Sequence, residues 1–167
     1  MNNATMRAAL ATALIGAFAV ISAAPATADF SIKLRKGLAC EDFAVQFTST
    51  GGNLVENDYF DEDGTKVKIL AAGKGTVNTY TNVRTGESVT FNTAGSVTST
   101  VLNPDGSTTV TSTGHNGLIL FPGDEPEGPS TTQYIGRFVY TVTEDGVFIL
   151  DEQATTGQEV DVCAELA

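Results

Sequence analysis

After Asp29 the chain alternates polar and apolar residues one by one in short stretches, and Gly, Asn, Asp or Pro interrupts each stretch. This is the period-two signature of half-buried β-strands joined by tight turns. Phe43, Val45 and Phe47 alternate with Ala44 and Gln46. Leu54, Val55, Tyr59 and Phe60 mark a second strand, interrupted by acids. Lys66 and Lys68 alternate with Val67 and Ile69. Val77, Thr79, Thr81 and Val83 share a face, and Val89 and Phe91 sit in the strand that follows. Leu118 to Phe121 is apolar without a break, which predicts a strand buried on both faces.

The strongest local signal runs from Ser96 to Gly114. Two Thr- and Val-rich arms flank Asn103-Pro104-Asp105-Gly106. Pro104 presets φ for a type I turn, and Gly106 takes the positive φ that lets the chain return. A second hairpin is predicted from Gln133 to Gln153 around Asp145-Gly146. A two-residue type I′ turn there pairs Glu144 with Val147, Val142 with Ile149 and Tyr140 with Asp151. Arg137 would then lie diagonal to Glu152. No helix of ordinary length is signalled after residue 28.

About nine or ten strands with turns every 8 to 12 residues predict an all-β domain. A meander closed into a small antiparallel β-barrel would bring its first and last strands together and remove the exposed edges. A β-sandwich is the alternative. Residues 29–39 are read as an N-terminal extension, in the form of a solvated end or an edge strand, and 40–167 as a single β domain.

The start of the chain follows a different pattern. Arg7 is its only charge before Asp29, an Ala-rich apolar run follows, and Ala26-Thr27-Ala28 closes it. This is the layout of a signal peptide cut after Ala28, and the run is short for a bilayer span. Removal of 1–28 leaves 139 of the 167 residues and, with Arg7 gone, turns the formal charge of −11 into −12. Such a charge argues against nucleic acid, whose phosphates require Lys and Arg clusters, and against anionic lipid. Lys33, Arg35 and Lys36 form the single basic cluster, which could serve as a docking site for an acidic partner.

The two cysteines, Cys40 and Cys163, both lie after the predicted cleavage site and form no Cys-x-x-Cys. One structural disulfide is expected, with no metal or redox role. It would close a loop of roughly 120 residues and stabilise by roughly 4–5 kcal/mol on the chain-entropy model.

Candidate chemistry is sparse. His115 is the single histidine, no G-x-S-x-G elbow accompanies it, and one His with two paired Cys makes a zinc site a poor reading. Asp61-Glu62-Asp63-Gly64 has the look of a calcium loop. With Gly64 as sixth residue, however, the first and twelfth positions are Tyr59 and Leu70, which cannot ligate as that loop requires. A hairpin turn is the simpler reading, and Glu56 or Asp58 could assist a loose surface site. No cofactor is indicated. Phe43, Phe47, Phe91, Phe121, Phe138 and Phe148 could line a ligand cavity or fill a core. Pro122 to Ser130 holds three of the five prolines and three carboxylates, and is expected to be an exposed, mobile loop.

The Ala-rich leader ending Ala-Thr-Ala28, single cysteines near each end and the ending Asp161-Val-Cys163-Ala164-Glu165-Leu166 resemble the small secreted proteins of uncharacterised function found in actinomycetes. Thr81-Asn82 followed by Thr85-Gly86, and Gly136-Arg137, add to the likeness. The resemblance implies export and carries no assigned activity. The expectation is a secreted, monomeric, non-catalytic binding protein for a small apolar ligand or a protein partner. A protein-interaction or inhibitor domain using the 122–130 loop is the alternative, and a hydrolase of unknown substrate is the third reading.

Overall fold

A computed structural model describes residues 29–167. The predicted signal peptide lies outside the described residues. The rest is all-β. Strands β1 (Phe30–Leu34), β2 (Val45–Thr50), β5 (Val77–Asn82) and β6 (Ser88–Asn92) form one antiparallel sheet in the order β1-β2-β5-β6. The second sheet contains β3 (Asn53–Phe60), β4 (Lys66–Lys74), β7 (Val97–Leu102), β8 (Thr108–Leu120), β9 (Ser130–Val142) and β10 (Phe148–Leu150). Its order is β10-β9-β8-β7-β4-β3, and β11 (Thr156–Asp161) pairs with the first half of β9. The ladders form two open sheets, and among the described residues no closed ring of strands is found.

Turn chemistry explains several of the connections. Asn103 and Ser107 bracket the β7–β8 turn. Gly106 donates its N–H to the Asn103 carbonyl at 3.1 Å and holds φ at +83°. The β3–β4 turn repeats the scheme, with Gly64 donating to Asp61 at φ +80°. The Asp61 carboxylate accepts from the Asp63 and Thr65 amides, so it serves its own turn.

The β9–β10 hairpin uses the same device, which overturns the type I′ expectation. Gly146 donates to the Thr143 carbonyl, Thr143 pairs with Val147, and Val142 faces Phe148. The slip of one residue relative to the expected register has a cause in burial. It puts Tyr140, Val142, Phe148 and Leu150 on one face, where the expected register sets Tyr140 and Val142 with Asp151 on one face and Phe148 and Leu150 with Thr143 on the other. The Thr143 hydroxyl accepts the Val147 amide and completes the turn. The predicted Arg137–Glu152 pairing gives way to a hydrogen bond from the Arg137 guanidinium to the Ala154 carbonyl.

One core cluster joins the two sheets. Leu34, Phe43, Val45, Phe47 and Tyr80 from the first sheet and its loops pack with Ile119 and Phe121 of the second and with Val162 and Leu166. Leu118 and Leu120 face the other way, into a second cluster with Tyr134, Phe138, Val142 and Phe148. The unbroken run from Leu118 to Phe121 is therefore buried on both faces, as its composition predicts. The residues read as an extension supply β1 and two core residues, Leu34 and Ala39.

The disulfide Cys40–Cys163 ties the β1–β2 connection to the end of the chain. Cys163 lies in the single-turn helix α1 (Val162–Glu165), whose first turn the Asp161 carboxylate caps through the Ala164 amide. Buried Asn82 donates to the Leu166 carbonyl at 2.8 Å, and Thr131 donates to the Ala39 carbonyl at 2.9 Å. These contacts pin the same corner.

Glycines at one level of the second sheet shape its surface. Gly114 pairs with Gly136, and Gly136 with Gly157, with φ of +94°, +147° and +124°. A Cβ at Gly136 would lie 2.4 Å from the Thr156 carbonyl oxygen. Only glycine lets three neighbouring strands turn at such close approach. The far halves of β8 and β9 beyond this row carry the candidate site.

Candidate ligand cleft

Past the glycine row, Leu120 of β8 and Ser130, Thr132 and Tyr134 of β9 floor a surface cleft. Pro126, Leu150, Glu152, Thr155 and Glu159 complete its lining. The cleft holds about 260 Å³. That is just below the ~300–1,000 Å³ usual for ligand sites, which favour apolar walls with a few polar groups.

The Pro126 wall exists because the 122–130 loop folds back onto the sheet. Asp124 is 2% exposed, and its carboxylate accepts the Phe121 amide at 2.5 Å and the Phe148 amide at 3.1 Å. Glu125 then acts as an extra strand residue. Its amide donates to the Phe148 carbonyl and its carbonyl accepts from the Leu150 amide. Glu127 accepts from the Gly123 amide at 2.8 Å. The expected exposure of this loop is seen at its tip, and hydrogen bonds tie its base to the sheet. Gly123, Glu125, Pro126 and Glu127 are exposed, but the segment is anchored through a buried carboxylate. Sequence composition registers the prolines and acids, not the one acid that turns inward.

Tyr134 ends a row of four near-parallel rings. It stacks on Phe138 at 4.8 Å, Phe138 on Tyr140 at 5.6 Å, and Tyr140 on Phe148 at 5.5 Å. The row fixes the Tyr134 ring as a rigid floor. Burial pushes the Tyr134 phenol up to about 12, and the negative charges of Glu159 and Glu152 add to the rise. Both carboxylates are exposed to solvent, and no Lys or Arg lines the cleft. The arrangement therefore presents a lining of mixed apolar and hydroxyl groups with a negative rim.

The residues singled out in the sequence lie elsewhere. The six phenylalanines divide between two cores. Phe43, Phe47 and Phe121 are buried in the first, against which Phe91 packs, and Phe138 and Phe148 belong to the second. None lines the cleft. His115 lies inside β8 opposite Ile135, because the strand runs through Gly114. Its backbone exchanges hydrogen bonds with the Ser96 hydroxyl. Asp58 pairs with Lys66 at 2.8 Å. No group of three or more His, Cys, Asp or Glu among the described residues is placed to hold a metal ion. No helix among them is long and apolar enough to cross a membrane.

No protein-family model, curated protein or solved structure matches this chain. The cleft residues sit between 120 and 159 at irregular spacing and form no motif. Only the packing of the loop against β10 assembles them.

Proposed function

We propose that the chain is an exported, non-catalytic binding protein, and that its site is the cleft over Tyr134. The observation that carries the reading is a concave surface where Leu120, Leu150, Pro126 and Tyr134 meet the hydroxyls of Ser130, Thr132 and Thr155 beside the carboxylates of Glu152 and Glu159. The expected small apolar ligand is thereby narrowed to one that also carries a cationic group. Such a group gains from the rim carboxylates while its apolar body covers Tyr134. The leader ahead of Asp29 and the Cys40–Cys163 bridge support an extracellular setting. The shared cluster of Ile119 and Phe121 with Val45, Phe47 and Tyr80 supports a sandwich-like arrangement over a closed barrel.

The test is a titration with phenethylamine and with phenylacetate, read by tyrosine fluorescence in a chain that has no Trp. The amine should bind and the carboxylate should not. Replacing Glu152→Gln and Glu159→Gln together should weaken the amine by about tenfold, or ~1.4 kcal/mol. Equal binding of the two probes, or of neither, overturns the proposal.

One observation favours the protein-interaction alternative. The 122–130 loop presents Glu125, Pro126 and Glu127 on a backbone fixed by Asp124. A pre-organised loop loses little entropy on docking. Capture of a protein partner that survives Glu152→Gln and Glu159→Gln, but is lost when residues 125–127 are replaced, would select this reading.

A further inference from the structure

Both sheets end in open strand edges, and two of those edges differ in chemistry. Edge strand β3 is exposed along almost its whole length. Val55 is 58% exposed, Phe60 59% and Tyr59 46%, so large apolar side chains stand in water on this edge. Glu56 and Asp58 share one of its faces, and Asp61, Glu62 and Asp63 follow in the adjoining turn. Edge strand β1 carries the chain's basic cluster, with Lys33 exposed on its outer face and Arg35 and Lys36 just beyond. A long apolar edge without proline is a template for another strand.

The remaining edges fit less well. The outer edge of β10 is occupied by the Glu125 backbone. β11 is acidic and holds none of the exposed large apolar side chains, while β6 carries no charge. Pairing β3 with its own copy would set carboxylate against carboxylate, and pairing β1 with itself would set Lys33 against like charge. β1 against the acidic β11 would also bring opposite charges together, but only β1 against β3 does so while covering exposed large apolar side chains. The side-chain alternation agrees. Any register that sets Lys33 beside Glu56 or Asp58 also sets Phe30 and Leu34 on the face of Val55 and Tyr59, in either strand direction.

We propose that the β3 edge docks the β1 edge of a second copy of this chain, in a head-to-tail contact. Because the two surfaces differ, the contact is heterologous and a pair of copies keeps one free edge of each kind, β1 on one copy and β3 on the other. Growth then yields rings or short filaments and not a closed symmetric dimer. Asp58 already pairs with Lys66, which leaves Glu56 as the carboxylate that answers Lys33. The contact weakens with salt, since screening shortens from about 10 Å at 0.1 M to about 3 Å at 1 M.

Sedimentation velocity of the purified protein over a concentration series tests this. The expected result is a weight-average mass that rises with concentration at low salt and falls at high salt. Lys33→Glu alone, and Glu56→Lys with Asp58→Lys, should each raise the dissociation constant about tenfold or more. An equimolar mixture of the two variants should associate again, because each supplies the edge the other lacks. The mixture also reports that both variants are folded. A wild-type chain that stays monomeric at every concentration overturns the proposal. So does association that Lys33→Glu leaves unchanged, which would point to a symmetric contact between like edges.

Discussion

Asp124 is the residue on which the cleft wall depends, and Asp124→Ala is the perturbation that tests it. Its carboxylate is buried and accepts two backbone amides, those of Phe121 and Phe148. A hydrogen bond to a charged group contributes about 1.5–3 kcal/mol net, and a buried donor left without a partner costs about 1–3 kcal/mol. Removal of both bonds should therefore destabilise by about 3–5 kcal/mol, a large share of the ~5–15 kcal/mol typical of a domain. Asp124→Asn keeps one acceptor oxygen but turns an N–H₂ toward the second amide. It should cost roughly half as much. The assay is guanidinium unfolding under non-reducing conditions, followed by tyrosine fluorescence and circular dichroism. Equal slopes would show that the denatured state is unchanged. The same variants report on the cleft, because Pro126 lies two residues beyond the anchor. Asp124→Ala should lose phenethylamine binding under conditions where most molecules remain folded. A loss of stability below about 1 kcal/mol with Ala, or an Asn variant as stable as wild type with probe binding intact in both, would refute the anchoring argument.

Two further outcomes are expected. The Cys40–Cys163 bridge spans a sequence separation of 123, so Cys40→Ser with Cys163→Ser should lower stability by roughly 4–5 kcal/mol, measured by denaturant midpoint against the oxidised chain; a change below about 1 kcal/mol would contradict the chain-entropy account. Burial holds the Tyr140 phenol at about 12, as burial and two carboxylates hold Tyr134, and burial raises Tyr80 as well. Folding thus favours the neutral phenols. The stability they contribute is complete below the unfolded value of about 10 and is lost as pH rises from there toward 12, at up to about 1.4 kcal/mol per pH unit for each group. Phenolate absorbance should show these tyrosines titrating late, or abruptly on alkaline unfolding. A single transition of all four near pH 10 would exclude their burial.

What could be read in the sequence was local. The Asn103–Gly106 and Asp61–Gly64 turns follow from side-chain hydrogen bonds and a positive φ, which act within four or five residues. The alternation of Phe43, Val45 and Phe47 fixes which face of β2 is buried, and the apolar run at Leu118 announces burial on both sides. Such features need no knowledge of the partner strand. Where two local solutions lie close in energy, the sequence misleads. Asp145-Gly146 suits a type I′ turn, yet the observed turn is longer by one residue, because that register gathers Tyr140, Val142, Phe148 and Leu150 on one face.

Tertiary structure decided the rest. The division of the strands into two sheets depends on which edges can bury apolar surface, a sum over distant residues that no short window contains. The inward turn of Asp124 depends on the Phe121 and Phe148 amides, the second of them 24 positions along the chain. The cleft over Tyr134 exists only after the loop, β10 and β11 have packed together. The chain by itself therefore determined its strands, most of its turns and a pair of cysteines able to bridge. The concave surface, the stacked ring row and the two open, oppositely charged edges arise from packing, because each joins residues that are brought together only when the two sheets form.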